Sequence, residues 1–190
     1  MTVTGILPIV SALLIFLARL VELATKRQTV PGPIKENLTL RLFLLTGVLM
    51  VAGSLAEYFL GGAKIFWPGF LLGWICAAGS FVLRRRAIAA LGKFWSLHVE
   101  IRDNHEFVRS GPFRWMRHPT YFSMILELLS AGLILNARYS FAIIPLIFVP
   151  ALLLRLKLEE AALLEKFGDA YRAYQQTTPA IFPCRWPRTK

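Results

Sequence analysis

The chain has 190 residues, 56% of them hydrophobic and 13% aromatic, with a net charge of +11 and a mean hydropathy of +0.54. Positive hydropathy with so few charges excludes a soluble globular domain of ordinary composition and points to an all-α, polytopic membrane protein of one domain. The basic excess sits between apolar runs and forms no nucleic-acid-binding motif, so its expected counterpart is an anionic membrane surface and not nucleic acid. The two cysteines, Cys76 and Cys184, build neither a disulfide framework nor a metal spacing.

Five apolar segments are long enough, or nearly so, for a bilayer core that takes about 20 helical residues: 5–24, 42–60, 65–83, 121–135 and 140–154. No positive charge precedes the first, so it does not read as a cleaved signal. Near its end Arg19 and Glu22 stand one turn apart, placed to pair or to snorkel. Residues 29–33 (TVPGP) read as a turn or linker. In the third segment Gly69, Gly73 and Ala77 recur every fourth residue, a small face for close helix packing.

Residues 84–95 (RRRAIAALGKFW) mix cations with Ile88, Leu91, Phe94 and Trp95, which predicts a helix that continues from the membrane and lies along the cytoplasmic interface. A polar run follows, with His98, Glu100, Asp103, His105 and Glu106. The last two apolar segments are short and are joined by 136–139, which predicts a tight helical hairpin. Lys26, Arg27, Lys35 and Arg41 fall in the first connection, a run from Arg84 to Arg117 in the third, and Lys157 to Lys190 in the tail. Only Lys64 and Arg138 lie on the other side. Positive charge marks the cytoplasmic side, so the N-terminus is expected outside and the tail inside.

Two passages carry the chemistry. Residues 109–121 (RSGPFRWMRHPTY) place Arg109, Arg114, Arg117 and His118 at the edge of an apolar run, where ionisable groups usually line a site or meet headgroups. Pro119 biases His118 away from helical geometry, so the chain should turn there and enter the next helix. Arginines alone would suit lipid phosphates, but headgroups require neither His118 nor Tyr121. Residues 155–174 (RLKLEEAALLEKFGDAYRAY) repeat Leu156, Leu163, Leu164, Phe167 and Tyr171 at helical spacing, which predicts an amphipathic cytoplasmic helix or helix pair broken or capped at Gly168. Arg155 and Glu159, four apart, share a face, and Glu160 is expected to point elsewhere. A guanidinium, a carboxylate, an imidazole and a phenol can then converge just beneath the headgroups. The three histidines lack metal-ligand spacing. No GxSxG, Walker A or GxGxxG signature occurs. A zwitterionic ligand with an aromatic base suits these side chains better.

The two passages, with Phe182 and Pro183 after them, resemble the isoprenylcysteine carboxyl methyltransferase family, whose relatives include the phospholipid N-methyltransferases. The resemblance runs from about Leu91 to Pro183. It implies S-adenosylmethionine as cofactor, S-adenosylhomocysteine as its product, and no metal. The implied cofactor pocket faces the cytoplasm and is built from the connection between the third and fourth helices and from the C-terminal helix. Implied cofactor contacts are His98, His105, Glu106, Phe107, Val108, Phe113, His118, Pro119, Thr120, Tyr121 and Glu159. Arg155 falls where the family places a substrate-contacting arginine, so Arg155, Glu159 and His118 are the expected catalytic set. Two positions depart from the family pattern: His98 replaces a different polar residue, and Phe113 replaces a common tyrosine.

Residues 1–83 are thus expected to form three N-terminal helices, with the methyltransferase core in 84–190. The expected reaction moves a methyl group to a lipophilic acceptor, at a carboxylate or other oxygen, in a prokaryotic inner membrane. N-methylation of a phospholipid headgroup and a non-enzymatic membrane scaffold are the alternatives. The acceptor's identity and the oligomeric state are not legible in the residues.

Overall fold

The computed structural model describes residues 3–25, 38–62, 64–95 and 108–183. The predicted contacts His98, His105, Glu106 and Phe107 lie outside these residues, as does the 29–33 turn. Among the described residues every regular element is helical: α1 (Val3–Ala24), α2 (Leu38–Leu60), α3 (Trp67–Leu91), α4 (Pro119–Ile134), α5 (Arg138–Ile143) and α6 (Pro145–Thr177).

Four helical stretches are long and apolar enough to cross a membrane, namely α1, α2, α3 and the run from α5 into α6. The fifth, α4, has 16 residues, about 24 Å at 1.5 Å per residue, slightly less than a bilayer core. Large apolar side chains cover the outside of the bundle: Leu17 is 57% exposed, Ile75 67% and Leu146 73%. In water such a surface would drive aggregation, whereas lipid satisfies it.

α3 and α4 pack along much of their length because glycine removes the side chains between them. A Cβ on Gly73 would stand 2.6 Å from Ile134 Cγ1 and 3.1 Å from the Ser130 carbonyl. The Gly69, Gly73, Ala77 face is therefore a packing face, as its spacing predicts. Gly73→Ala is expected to destabilise the protein by about 1–3 kcal/mol through overpacking. Gly47→Ala, whose Cβ meets nothing within 4 Å, should cause no loss in the same thermal-unfolding measurement.

α4 turns into α5 through Asn136, which takes φ 50°. Glu57 of α2 accepts hydrogen bonds from the Tyr139 and Ser140 backbone N–H groups at 2.9 and 2.5 Å, satisfying donors at the start of α5. The predicted hairpin is present, with its turn tied to α2. Beside Glu57, Tyr58 donates to the Gly5 carbonyl at the start of α1 at 3.0 Å.

The expected continuation of the third helix beyond residue 83 is present, since α3 runs unbroken to Leu91. Arg84 consequently lies inside the bundle, 4% exposed. The helix expected over 155–174 is also present and is continuous with the last apolar span. α6 runs from Pro145 to Thr177 and bends at Gly168, whose φ of 51° is a conformation glycine takes without a Cβ clash.

Candidate active site

Pro119 occupies the first position of α4, where its missing N–H costs nothing, and His118 is the residue before the helix. His118 is only 3% exposed. Its backbone N–H donates to the Ala180 carbonyl at 2.8 Å, and that of Arg117 to Pro179 at 2.9 Å. The segment after α6 therefore straps the turn in place.

One helical turn on, the Tyr121 ring stacks on the imidazole, with centroids 5.2 Å apart and planes 9° from parallel. The Tyr121 hydroxyl donates to Glu159 and accepts from Arg155 Nε at 3.2 Å. Arg155 Nη1 donates to Thr39 Oγ1 at 3.2 Å, and its guanidinium lies over the Phe43 ring at 5.8 Å. The guanidinium, phenol, carboxylate and imidazole thus form one connected cluster at the start of α4 and the middle of α6.

Glu160 belongs to this cluster, contrary to the expectation that it points elsewhere. Its Oε1 accepts from Arg117 Nε at 2.8 Å and meets His118 Nε2 at 3.0 Å, while Oε2 accepts from Gln175 Nε2 at 2.9 Å. A carboxylate facing Nε2 favours the proton on that nitrogen, which leaves Nδ1 turned toward Glu159 Oε2 at 3.7 Å. Burial raises the Glu160 pKa, but the hydrogen bonds from His118 and Arg117 outweigh it and hold the carboxyl below its ordinary value. Burial pushes the Tyr174 hydroxyl up to about 12, against the nearby Arg117 and Arg109. It is therefore a neutral donor to the Phe113 carbonyl, at 2.6 Å.

A cavity of about 280 Å³ opens from this cluster into the bundle. Of the predicted site residues, Val108, Phe113, His118, Thr120, Tyr121, Arg155 and Glu159 line it; Pro119 is buried behind the wall. Trp95, Tyr171 and Tyr174 add aromatic surface, and α1 and α2 supply the opposite wall through residues such as Phe16, Phe43 and Gly47.

Part-way along the cavity is a charged belt that sequence reasoning recognised only at Arg19 and Glu22. Arg84 donates to Glu22 at 3.0 Å, to Glu127 at 2.5 Å, and to the hydroxyls of Ser80 and Ser123 at 2.7 and 3.0 Å. Arg19 pairs with Glu22 at 2.9 Å and lies 3.5 Å from Glu127. Mutual pairing is what permits these charges at membrane depth. Neighbouring residues on a helix point about 100° apart, so only one of the three consecutive arginines faces this belt. The same spacing lets Glu159 and Glu160 reach around α6 to two parts of one cluster. That rotation was the available signal for both missed residues. Nothing local marked Thr39, Phe43 or Glu127.

The Isoprenylcysteine carboxyl methyltransferase family model matches residues 72–165, from α3 into α6. The chain is similar to YpbQ of Bacillus subtilis, described as uncharacterized, with 31% identity over 84 residues, 44% of this chain and 50% of the relative. It is similar to the protein-S-isoprenylcysteine O-methyltransferase of Schizosaccharomyces pombe, with 28% identity over 152 residues, 68% of this chain and 64% of the relative. Among solved structures, a eukaryotic intramembrane Ras methyltransferase superposes with a TM-score of 0.62 at 24% identity, over 74% of this chain and 52% of the other. At that identity the likeness is one of fold. The matches to these relatives span about half to two thirds of their lengths. Arg84, His118, Tyr121, Arg155, Glu159 and Glu160 all fall inside the family match, so over residues 72–165 the chain is similar to the isoprenylcysteine carboxyl methyltransferase family.

Proposed function

We propose that the chain is an integral membrane methyltransferase that moves a methyl group from S-adenosylmethionine to a carboxylate, or other oxygen, of a lipophilic acceptor. The observation that carries this reading is the convergence of Arg155, Tyr121, Glu159 and His118 on one cavity that continues among apolar helices. The names of family relatives point the same way, since the Schizosaccharomyces pombe protein is a protein-S-isoprenylcysteine O-methyltransferase.

The donor set around the cluster fits S-adenosylmethionine. Glu159 offers a carboxylate for its ammonium group, and Phe113, Trp95 and Tyr174 offer aromatic surface for its base. His98, His105, Glu106 and Phe107 are proposed to complete the contacts. When bound, the cofactor supplies an electrophilic methyl group on a sulfonium.

The chain's own residues do the rest. Arg155, oriented by Tyr121, Thr39 and Phe43, holds an acceptor carboxylate, which needs no general base. For a hydroxyl acceptor, Glu159 or His118 Nδ1 would take the proton. The packed helices exclude water from the apolar part of the cavity. In the proposed orientation the N-terminus is outside, and the cluster and C-terminus face the cytoplasm of a prokaryotic cell.

The test is transfer of labelled methyl from S-adenosylmethionine into a native lipid extract by purified protein. The expected label enters an organic-phase product and is released as methanol by mild alkali. Alkali-stable label would instead assign N-methylation or ether formation. S-Adenosylmethionine should bind the wild type and bind Glu159→Ala and His118→Ala at least tenfold more weakly, a loss of about 1.4 kcal/mol or more. No binding and no transfer would leave a membrane scaffold.

A further inference from the structure

The cavity runs deeper into the bundle than the reaction by itself requires. Along α4 its lining descends from Tyr121 to Ile134, about 20 Å at 1.5 Å per residue. On α2 the cavity face passes through Phe43, Gly47 and Met50, which share one side of the helix. Past the charged belt, whose members neutralise one another, the wall is apolar except for the Ser130 hydroxyl, and Ala12 and Ile15 of α1, Met50 of α2 and Ile134 of α4 line it.

Met50 and Ile134 are each 2% exposed and cannot easily retreat. Met50 Cε lies 2.7 Å from where a Gly132 Cβ would be, and Ile134 Cγ1 lies 2.6 Å from that of Gly73. Both side chains are seated in notches that glycine alone leaves open. One turn toward the cytoplasm the situation is the opposite. Gly47 lines the cavity, and a Cβ there would meet nothing within 4 Å.

We propose that this cavity measures its substrate: a single apolar chain runs from the Arg155 cluster past Gly47 and stops against Met50 and Ile134. Gly47 and Met50 then set the longest acceptor chain accepted. The occupant rests on the methyltransferase reading above; the buried seats of Met50 and Ile134 and the open space at Gly47 do not.

The experiment uses the full chain in lipid nanodiscs with a homologous series of straight-chain carboxylic acids, each carrying a photoactivatable diazirine at the chain end. Cross-links are mapped by mass spectrometry, and methyl transfer to the same acids is measured in parallel. The longest acids that bind should label residues around Met50 and Ile134. Gly47→Leu should weaken those acids by roughly tenfold or more for each methylene that no longer fits, and leave the shortest unchanged. Met50→Ala should move the optimum to longer chains.

Cross-links spread over lipid-facing side chains such as Leu17 and Ile75 would overturn the proposal. So would an equal loss for every chain length in Gly47→Leu, or an unchanged length preference in both variants. Cross-linking requires no methyl transfer, so the two readings fail separately. Chain-end labelling at Met50 without methylation of any acid would keep the measuring cavity and remove the carboxyl-methylation reading. Methylation with no length shift in either variant would do the reverse.

Discussion

Arg155→Ala is expected to lower the rate of methyl transfer by about 100- to 1,000-fold, the usual cost of removing one fixed donor from a reacting centre. Binding of S-adenosylmethionine should change far less, because Arg155 faces the acceptor in the proposed arrangement. Its guanidinium is held by Tyr121, Thr39 and Phe43, so it meets the acceptor with little left to order. Arg155→Lys should recover only part of the rate, since an ammonium cannot span the Tyr121 and Thr39 oxygens as a guanidinium does. Single-turnover transfer and cofactor binding, measured on the same samples, separate these effects. If Arg155→Ala transfers methyl at the wild-type rate, Arg155 is a structural cation. A thermal-unfolding comparison shows whether a lost rate reflects lost structure.

Glu160→Ala should destabilise the protein by about 3 kcal/mol, the lower end for breaking a buried ion pair by removal of one partner. The lower end is appropriate because Arg117 keeps other acceptors, the carbonyls of Gln175 and Thr178. The loss would also release His118 Nε2 and Gln175, freeing the imidazole to rotate. Activity should therefore fall even at temperatures where the variant remains folded.

The pH dependence follows from the direction of the Glu160 shift. Burial raises its pKa, and the hydrogen bonds from His118 and Arg117 more than reverse that. A depressed folded value means that Glu160 stabilises fully above the unfolded carboxyl pKa, roughly 4.3. That contribution is lost as pH falls through the lower folded value. Acid unfolding of the wild type should show this loss, and Glu160→Gln should lack that part of the acid sensitivity. An identical acid profile in the two proteins would contradict the assigned network.

The five apolar segments, the small-residue face of α3, the turn at His118-Pro119 and the bend at Gly168 are all local properties of the chain. Helical periodicity, bilayer length, proline sterics and glycine's freedom at positive φ act within a few residues, so the sequence alone determined them. The pairing of His118 and Tyr121 with Arg155 and Glu159 was also legible, since the two passages flank a short hairpin that returns the chain to the same membrane face. What only the tertiary structure decided depends on rotation about helix axes and on contacts between distant helices. Arg84 turns inward while its neighbours in the run do not, and Glu160 wraps around α6 to hold His118. Thr39 and Phe43, from a helix outside the family match, orient Arg155. The seating of Met50 against Gly132 and of Ile134 against Gly73 is likewise a product of packing, because it exists only where glycines on one helix meet large side chains on the next. Sequence spacing specifies the face of a single helix. Which faces meet, and at what depth, is set by the packing of the whole bundle.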